Sequence, residues 1–440
     1  HSSDPIHVQD YCTSTLSLTF LAPPMMRRML GAPVSDARCI SIGGHILLTG
    51  GFGNSASTGL RQHRLSHNAD RWLPMRAASP CDRGGHAVDA ASGQLALMHG
   101  GWGHGVGSRQ GNLADLWTLA LSETGMQAQA STDPSWQPLA ASGTPPSARA
   151  GHSLTALRCN RTPLQDAAAM SCVLFGGFGE RALDDVHVLT VGAPGTAPGA
   201  APGNAPNTAL SASSHAEREQ SWASWSQPRV LGTPPGPRCA HAAIATPDGR
   251  GVLVFGGYTP TGPDGTLWLL ELLEGGAQGG AEDDAGDGAE RGAKEGGDCG
   301  ADGAKDGGVG LAWTRLYAAA PSGQEGPCVE LPRSGHTMSL TSHNRLIVCG
   351  GLDADHSVLD DLLGLDVSAA GLERLRDPSG DAQWQVLRVA EEGGCDLARY
   401  NHAAAVVLCE GGGERLLLVG GNGEDHAPLD SAVELIVPST

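Results

Sequence analysis

Residues 172–191 read CVLFGGFGERALDDVHVLTV, and this stretch decides the fold. An apolar run ends in Gly-Gly, a short polar turn follows, and a second run alternates through Val191. Short β-branched and aromatic runs separated by glycine-containing turns are typical of paired β-strands. The apolar run with its Gly-Gly occurs six times, at 46–51, 95–101, 172–177, 251–257, 345–351 and 415–421. Such recurrence indicates a fold built from similar units.

Each unit carries further residues in a fixed order. Arg-x-x-His precedes the Gly-Gly in five units, and Arg38 followed by Ser41 stands as a degenerate copy in the first. A second apolar run follows the Gly-Gly, and a run led by Trp closes most units. We interpret the repeated pairs as hydrogen-bonded structural residues, because a metal site is not expected in every unit, and the Gly-Gly as a turn that needs positive φ. The structural repeat residues are Arg83, His86, Gly100, Gly101, Arg149, His152, Gly176, Gly177, Arg238, His241, Gly256, Gly257, Arg333, His336, Gly350, Gly351, Arg399, His402, Gly420 and Gly421.

These elements, in this order, resemble the kelch repeat over nearly the whole chain. The resemblance implies an all-β fold, a six-bladed kelch-type β-propeller with four antiparallel strands in each blade. A strand from residues 16–30 is expected to close the last blade, so that 1–440 form a single propeller. The blades are expected at about 36–76, 83–140, 149–231, 238–318, 333–389 and 399–437.

Two low-complexity segments interrupt the repeat. Residues 192–221 are rich in Ala, Pro and Gly, and residues 274–310 are rich in Gly, Asp and Glu. Neither can bury enough apolar surface to offset its ordering entropy, so we predict disordered inserts within the third and fourth blades. The second insert holds ten acidic and three basic residues, which is −7 of the net charge of −19. An acidic chain lacks the clustered Lys and Arg that bind phosphates, so no direct nucleic-acid partner is expected.

The cysteine pattern and the hydropathy of the chain indicate in which cellular compartment the protein is expected. The eleven cysteines are scattered without a C-x-x-C pair. That pattern favours a reducing compartment over a disulfide framework and argues against a zinc knuckle. No apolar run approaches the length that spans a bilayer. We expect a monomeric propeller in the cytoplasm, with the nucleus as the alternative, and no cofactor, metal or membrane contact.

The loops that follow each Gly-Gly are the candidates for function. Antiparallel strands place these loops and the connections between blades on one face, called here the short-loop face, while both inserts emerge on the other. Loops on a rigid scaffold often carry function, and the kelch resemblance implies that the short-loop face binds a partner protein or peptide. The candidate partner-binding residues are Arg61, Arg64, His104, Arg109, Glu180, Arg181, Asp353, Asp355, His356, Glu424, Asp425 and His426.

Residues 99–105, HGGWGHG, have the composition of a metal or phosphate site. In the aligned units, however, His99 and Trp102 fall in mostly apolar columns on either side of the Gly-Gly. We therefore interpret both as packing residues and leave only His104, in the variable loop column, for partner contact. The glycine spacing does not match G-x-G-x-x-G, so a phosphate cradle is not expected.

The main prediction is a non-catalytic protein-interaction scaffold, and two enzymatic alternatives stay open. Arg61-x-x-Arg64 after the first Gly-Gly is similar to the start of the kelch half of wybutosine-synthesising, leucine-carboxyl-methyltransferase-like tRNA enzymes, whose catalytic domain would lie outside these residues. Glu180, Asp184 and His187 approach the iron-binding spacing of the plant nitrile-specifier kelch proteins. That pattern needs His one residue later, and a one-residue shift turns a strand side chain to the opposite face.

Overall fold

Alternating apolar residues in each unit form antiparallel strands, as the repeat predicts. The structure is a computed structural model, and it describes residues 17–20, 33–42, 45–53, 62–66, 73–74, 80, 82–104, 110–120, 135–157, 169–192, 222–273, 310–321, 331–390, 397–408 and 413–437. These ranges contain six sheets of four or five strands and one two-stranded hairpin. The sheets are numbered here 1 to 6 in chain order.

The chain enters with β1 (Ser17–Phe20), which belongs to sheet 6. Sheet 1 contains β2 (Arg38–Ile42), β3 (His45–Thr49), β4 (Gln62–Ser66) and β5 (Leu73–Pro74). Sheet 2 contains β6 (Arg83–Gly84), β7 (Ala87–Ala90), β8 (Leu95–His104), β9 (Gln110–Ala120) and β10 (Trp136–Pro138). Sheet 3 contains β11 (Ala141–Gly143), β12 (Ser153–Leu157), β13 (Ala169–Phe178), β14 (Ala182–Gly192) and β15 (Trp222–Ser226).

The second half of the chain repeats the arrangement. Sheet 4 contains β16 (Val230–Leu231), β17 (Ala242–Ala245), β18 (Gly251–Phe255), β21 (Leu267–Leu272) and β22 (Leu311–Leu316), with the hairpin β19 (Tyr258–Thr259) and β20 (Gly262–Pro263) beside it. Sheet 5 contains β23 (Thr337–Leu340), β24 (Arg345–Cys349), β25 (Leu362–Asp366) and β26 (Gln385–Val386), followed in the chain by helix α1 (Ala369–Leu375) after β25. Sheet 6 contains β27 (Arg388–Ala390), β28 (Ala403–Leu408), β29 (Glu414–Val419) and β30 (Ala432–Val437), together with β1.

The hydrophobic core consists of separate clusters, each between two neighbouring sheets. Leu97 of sheet 2 packs with Leu174 and Trp225 of sheet 3, and equivalent clusters join sheets 1 and 2, 3 and 4, 4 and 5, and 5 and 6. A further cluster joins Ile46 of sheet 1 to Leu417 of sheet 6. Sheets packed face to face in this cyclic order form an all-β propeller, and each removes the apolar face of its neighbour from water.

Sheet 6 contains strands from both ends of the described chain. The N-terminal β1 pairs antiparallel with β30, with Thr19 opposite Ile436. No helix in the described residues is long and apolar enough to cross a membrane. The inserts predicted at 192–221 and 274–310 lie outside the described residues except at their edges, where Gly192 ends β14 and Gly310 precedes β22.

The sheets differ from the prediction of four antiparallel strands. In sheets 3, 4 and 6, a short outer strand runs parallel to the outermost antiparallel strand: β11 to β15, β16 to β22 and β27 to β1. Each of these strands lies just before the unit whose sheet it joins, in the connection between two units. A connection that crosses the edge of the next sheet can satisfy its backbone groups there, which covers an otherwise unpaired edge.

The prediction that Arg38 and Ser41 are the first, degenerate copy of the Arg-x-x-His motif is wrong, because they are aligned to the wrong columns of the repeat. Val34 O accepts a hydrogen bond of 2.8 Å from Gly421 N, as Arg149 O accepts one of 2.9 Å from Gly101 N. Val34 therefore stands in the arginine column, and Ala37, three residues later, stands in the histidine column. The first unit has neither the arginine nor the histidine of the motif, so the Arg-x-x-His pattern could not locate these two positions in the sequence.

Candidate functional site

The repeated arginines are buried and neutralised inside the propeller. Arg149 has no exposed surface; its Nη1 donates to Gly176 O at 3.0 Å and to Asp185 Oδ1 at 2.5 Å, and its Nη2 donates to Asp185 Oδ2 at 2.8 Å. Burial would raise the pKa of Asp185, but the hydrogen bonds from Arg149 and His187 bring it below the usual range. The equivalent ion pairs are Arg83 with Asp115, Arg238 with Asp264, and Arg333 with Asp361. Arg399 Nη1 donates to Gly420 O at 3.0 Å.

The repeated histidines face the preceding sheet. His86 Nε2 lies 2.7 Å from Thr49 Oγ1, and His402 Nε2 lies 2.7 Å from Thr337 Oγ1. His152 Nε2 shares a hydrogen bond of 3.0 Å with Nδ1 of His99, which is fully buried. Burial, with the neighbouring arginines, lowers the pKa of these histidines, and that of His99 falls to about 3. They are neutral at physiological pH and join one sheet to the next.

The Gly-Gly pair completes the junction between sheets. Gly100 and Gly101 have φ of +60° and +98°. A Cβ on Gly101 would lie 2.8 Å from the Cβ of His86, and Gly101 N donates across the sheet interface to Arg149 O. Glycine is required here both for the backbone conformation and for the close approach.

A closed ring of main-chain hydrogen bonds surrounds the propeller axis. In each unit, the residue that lies two positions before the inner strand donates its N–H to a main-chain carbonyl of the preceding unit, and all six residues have φ between +51° and +67°. The bonds are Gly85 N to Asp36 O at 3.1 Å, Gly151 N to Gly85 O at 2.7 Å, Ala240 N to Gly151 O at 2.8 Å, Gly335 N to Ala240 O at 2.9 Å, Asn401 N to Gly335 O at 2.7 Å and Asp36 N to Asn401 O at 2.9 Å. The ring sets the position of the axis with backbone atoms alone.

A cavity of about 440 Å³ follows the axis and includes this ring in its wall. At its mouth on the short-loop face stand the residues that follow Gly-Gly in three consecutive sheets, Phe52, Trp102 and Phe178. Trp102 is 42% exposed and Phe178 is 47% exposed, and Tyr258, in the same column of sheet 4, is 44% exposed. Trp102 packs edge-on against Phe52 with ring centroids 5.8 Å apart. The assignment of Trp102 to packing is therefore incomplete, because much of its ring faces solvent.

Two charged groups from the first unit lie in this cavity. Arg38 and Asp36 both contribute to its wall, whose other side chains are apolar, histidine, or small and polar. Burial lowers the pKa of Arg38, while Asp36 acts in the opposite direction. The Arg38 charge in turn adds to the lowering of the pKa of His152 and His241, which belong to different sheets. Arg38 thus lies within electrostatic reach of several sheets.

The predicted partner-binding residues are spread over the short loops. Glu180 and Arg181 are exposed in the turn between β13 and β14. Asp353 Oδ1 accepts hydrogen bonds from the main-chain N–H groups of Asp355 and Ser357, and so shapes its own turn. His356 is exposed and has a φ of +62°.

The remaining predicted residues divide into a described and an undescribed group. Glu424 and Asp425 are exposed. His426 packs edge-on against Tyr400, with ring centroids 5.7 Å apart and an Nδ1 to Oη distance of 3.3 Å. The backbone of Arg64 lies in β4 and that of His104 in β8. Arg61 and Arg109 lie outside the described residues.

The iron-binding pattern is not assembled. Glu180 and Asp184 are exposed, whereas His187 is buried and its Nε2 lies 3.0 Å from Asp185 Oδ2. Within the described ranges, no three His, Cys, Asp or Glu side chains converge in a metal-binding arrangement. The sequence identified the column after Gly-Gly but assigned it to packing, whereas Trp102, Phe178 and Tyr258 are exposed. The signal for exposure was the solvent-facing loop that follows each Gly-Gly directly.

The comparisons with known proteins agree with the repeat and the fold. No protein-family model matches the chain. An F-box/kelch-repeat protein of Arabidopsis thaliana is 30% identical over 172 residues, which cover 36% of this chain and 30% of that relative. The structure of YjhT is similar with a TM-score of 0.52 and 11% identity, over 94% of this chain and 97% of that chain. The predicted all-β propeller fold and the kelch-repeat resemblance are confirmed.

Proposed function

We propose that this kelch-repeat β-propeller is a non-catalytic scaffold that binds a protein or peptide segment through its short-loop face. The observation that carries the proposal is the arc of exposed aromatic side chains: Trp102 and Phe178 line the cavity, and Tyr258 follows in the same column of the next sheet. Large apolar side chains that stay exposed side by side on a rigid surface mark interaction sites, and aromatic residues dominate the energetic centres of interfaces.

The proposal includes a ring of six blades that spans 1–440, with the boundaries predicted from the sequence. Two features support that number. The sheets pack in cyclic order with a core cluster at every interface. The main-chain ring around the axis takes one residue from each of the six units.

Affinity capture with matched variants tests the binding face. Trp102→Ser combined with Phe178→Ser removes two members of the arc. Leu408→Ser is the control, because Leu408 is 59% exposed at the end of β28, where the strand direction places it on the opposite face. We expect partners recovered with the wild-type chain to be retained by the Leu408 variant and lost by the double variant. Equal recovery with all three chains, or loss with the Leu408 variant alone, would contradict the proposed face.

A further inference from the structure

Arg38 is the one cationic side chain among the described residues of the cavity wall, whose four histidines, His152, His241, His336 and His402, are held neutral by burial. It lies in β2, two residues after the main-chain ring member Asp36, and faces the cavity. With a strand rise of about 3.3 Å per residue, Arg38 lies about one side-chain length beyond the ring. A guanidinium in this position is within reach of a side chain that enters from the mouth.

The guanidinium has unused hydrogen-bonding capacity. Its Nη1 donates to the carbonyl of Ala37 at 3.2 Å, and no carboxylate of the described residues lies within ion-pair distance of it. The repeat arginines differ, since Arg149 has a bidentate aspartate and a glycine carbonyl. A guanidinium carries five N–H donors, and a partly desolvated cation that keeps donors free favours an anionic ligand.

We propose that the cavity receives the carboxylate of an aspartate or glutamate side chain from the bound protein segment, and that Arg38 is its counter-ion. The inference rests on the proposed function and names the chemistry of the ligand. The planar guanidinium matches a carboxylate with two parallel hydrogen bonds. The aromatic arc outside the ring provides apolar contact for the residues next to the acidic one, and a cavity of about 440 Å³ accommodates a side chain of this size.

Replacement of Asp36 should change the affinity for the ligand in a direction that can be predicted. Its carboxyl group is the acidic group of the described cavity wall and interacts electrostatically with Arg38. An incoming carboxylate competes with Asp36 for the same cation. Asparagine is suited to this backbone conformation, because Asn401 occupies the equivalent ring position with φ +53°, close to +57° at Asp36. Asp36→Asn should therefore strengthen binding of the ligand without disturbing the ring.

Titration calorimetry with short peptides at millimolar concentration tests the inference. The probes are acetyl-Trp-Glu-Gly-amide, its glutamine analogue, and acetyl-Trp-Gly-Gly with a free C-terminal carboxylate. We expect the glutamate peptide to bind at least about tenfold more tightly than the glutamine peptide, as for one charge-assisted hydrogen-bonded pair. Arg38→Met should remove that preference and Asp36→Asn should increase it. Arg345→Met, at a partly buried arginine of β24 outside the cavity wall, should change nothing.

Each other result overturns the inference. Equal affinities for the glutamate and glutamine peptides, no binding of the glutamate peptide, or an unchanged preference in a folded Arg38→Met chain would remove Arg38 as the counter-ion. Binding of the free C-terminal carboxylate alone would overturn the side-chain assignment. The two proposals fail separately: partner capture lost in the Trp102/Phe178 double variant but intact in Arg38→Met leaves the binding face and removes the carboxylate site.

Discussion

Acid should unfold this propeller at a higher pH than carboxylate titration alone would cause. Six histidines have a pKa lowered by burial: His86, His99, His152, His241, His336 and His402. For His99 and His241 the folded-state pKa is about 3, against about 6.5 in an unfolded chain. Because the unfolded state binds these protons and the folded state does not, the stability they confer is present above pH about 6.5 and is lost as the pH falls.

The magnitude at mildly acidic pH depends on the unfolded pKa alone. As long as the pKa in the folded state stays far below the pH, each histidine lowers the free energy of unfolding by about 1.4 kcal/mol at pH about 5.5. At pH about 5 the loss per histidine is about 2 kcal/mol. Six such groups remove about 8 kcal/mol at the first pH, which is comparable with the whole stability of an ordinary domain, about 5–15 kcal/mol. We therefore expect the acid midpoint between pH about 5 and about 6, above the range in which Asp115 and Asp185 take up protons.

The free energy of unfolding by urea, measured by tryptophan fluorescence at closely spaced pH values, checks this. Its slope near pH about 5.5 should correspond to about five protons taken up on unfolding. His99→Phe is the matched variant, since Phe175 and Phe255 occupy the same column in the next two units. It should lower the uptake by about one proton, whatever it does to absolute stability. A flat slope above pH about 5, or the same slope in both proteins, would refute the reasoning.

Further predictions concern the junctions between sheets, each with unfolding free energy as the measurement. Gly101→Ala should cost about 2 kcal/mol or more because of its positive φ and close contact, whereas Gly93→Ala, with nothing within 4 Å, should stay within about 0.5 kcal/mol. Asp185→Asn removes the charge opposite a fully buried arginine and should cost about 3 kcal/mol; Asp366→Asn, at an exposed ion pair, should cost less than about 1 kcal/mol. Ala240→Gly should stabilise the ring by about 1 kcal/mol, because Ala240 is held at φ +51°. A greater loss of stability for Gly93→Ala than for Gly101→Ala, or for Asp366→Asn than for Asp185→Asn, would contradict these assignments. So would a loss of stability in Ala240→Gly.

The repeat columns could be predicted from the sequence because each column has one physical task. Arg149 and His152 recur in other units since every sheet needs the same contact to its neighbour, and that regularity is visible without coordinates. The first unit shows where such reasoning stops. Val34 and Ala37 perform the backbone part of the task without the polar side chains, so no pattern of residue types revealed their register.

The candidate site was harder to predict because it depends on asymmetry. The short outer strands parallel to the last strand of a unit have no periodicity of their own, as β16 with two residues illustrates. Arg38 is a single residue in one unit, and only the ring closure brings its charge near histidines of distant units. A residue that occurs in only one unit does not contribute to the repeat pattern, so the pattern cannot reveal it. In a scaffold of similar units, however, such a residue is the one that can recognise a specific ligand.

The antiparallel pairing of β1 with β30 also determines how the propeller can be attached to other molecules. Ser17 begins β1 at the same end of sheet 6 where Val437 ends β30, and strand direction assigns that end to the face opposite the cavity mouth. Attachments made next to Ser17 or next to Val437 would thus both lie on the face opposite the aromatic arc. A surface tether at either position should leave the arc accessible, so immobilisation through either strand suits binding measurements.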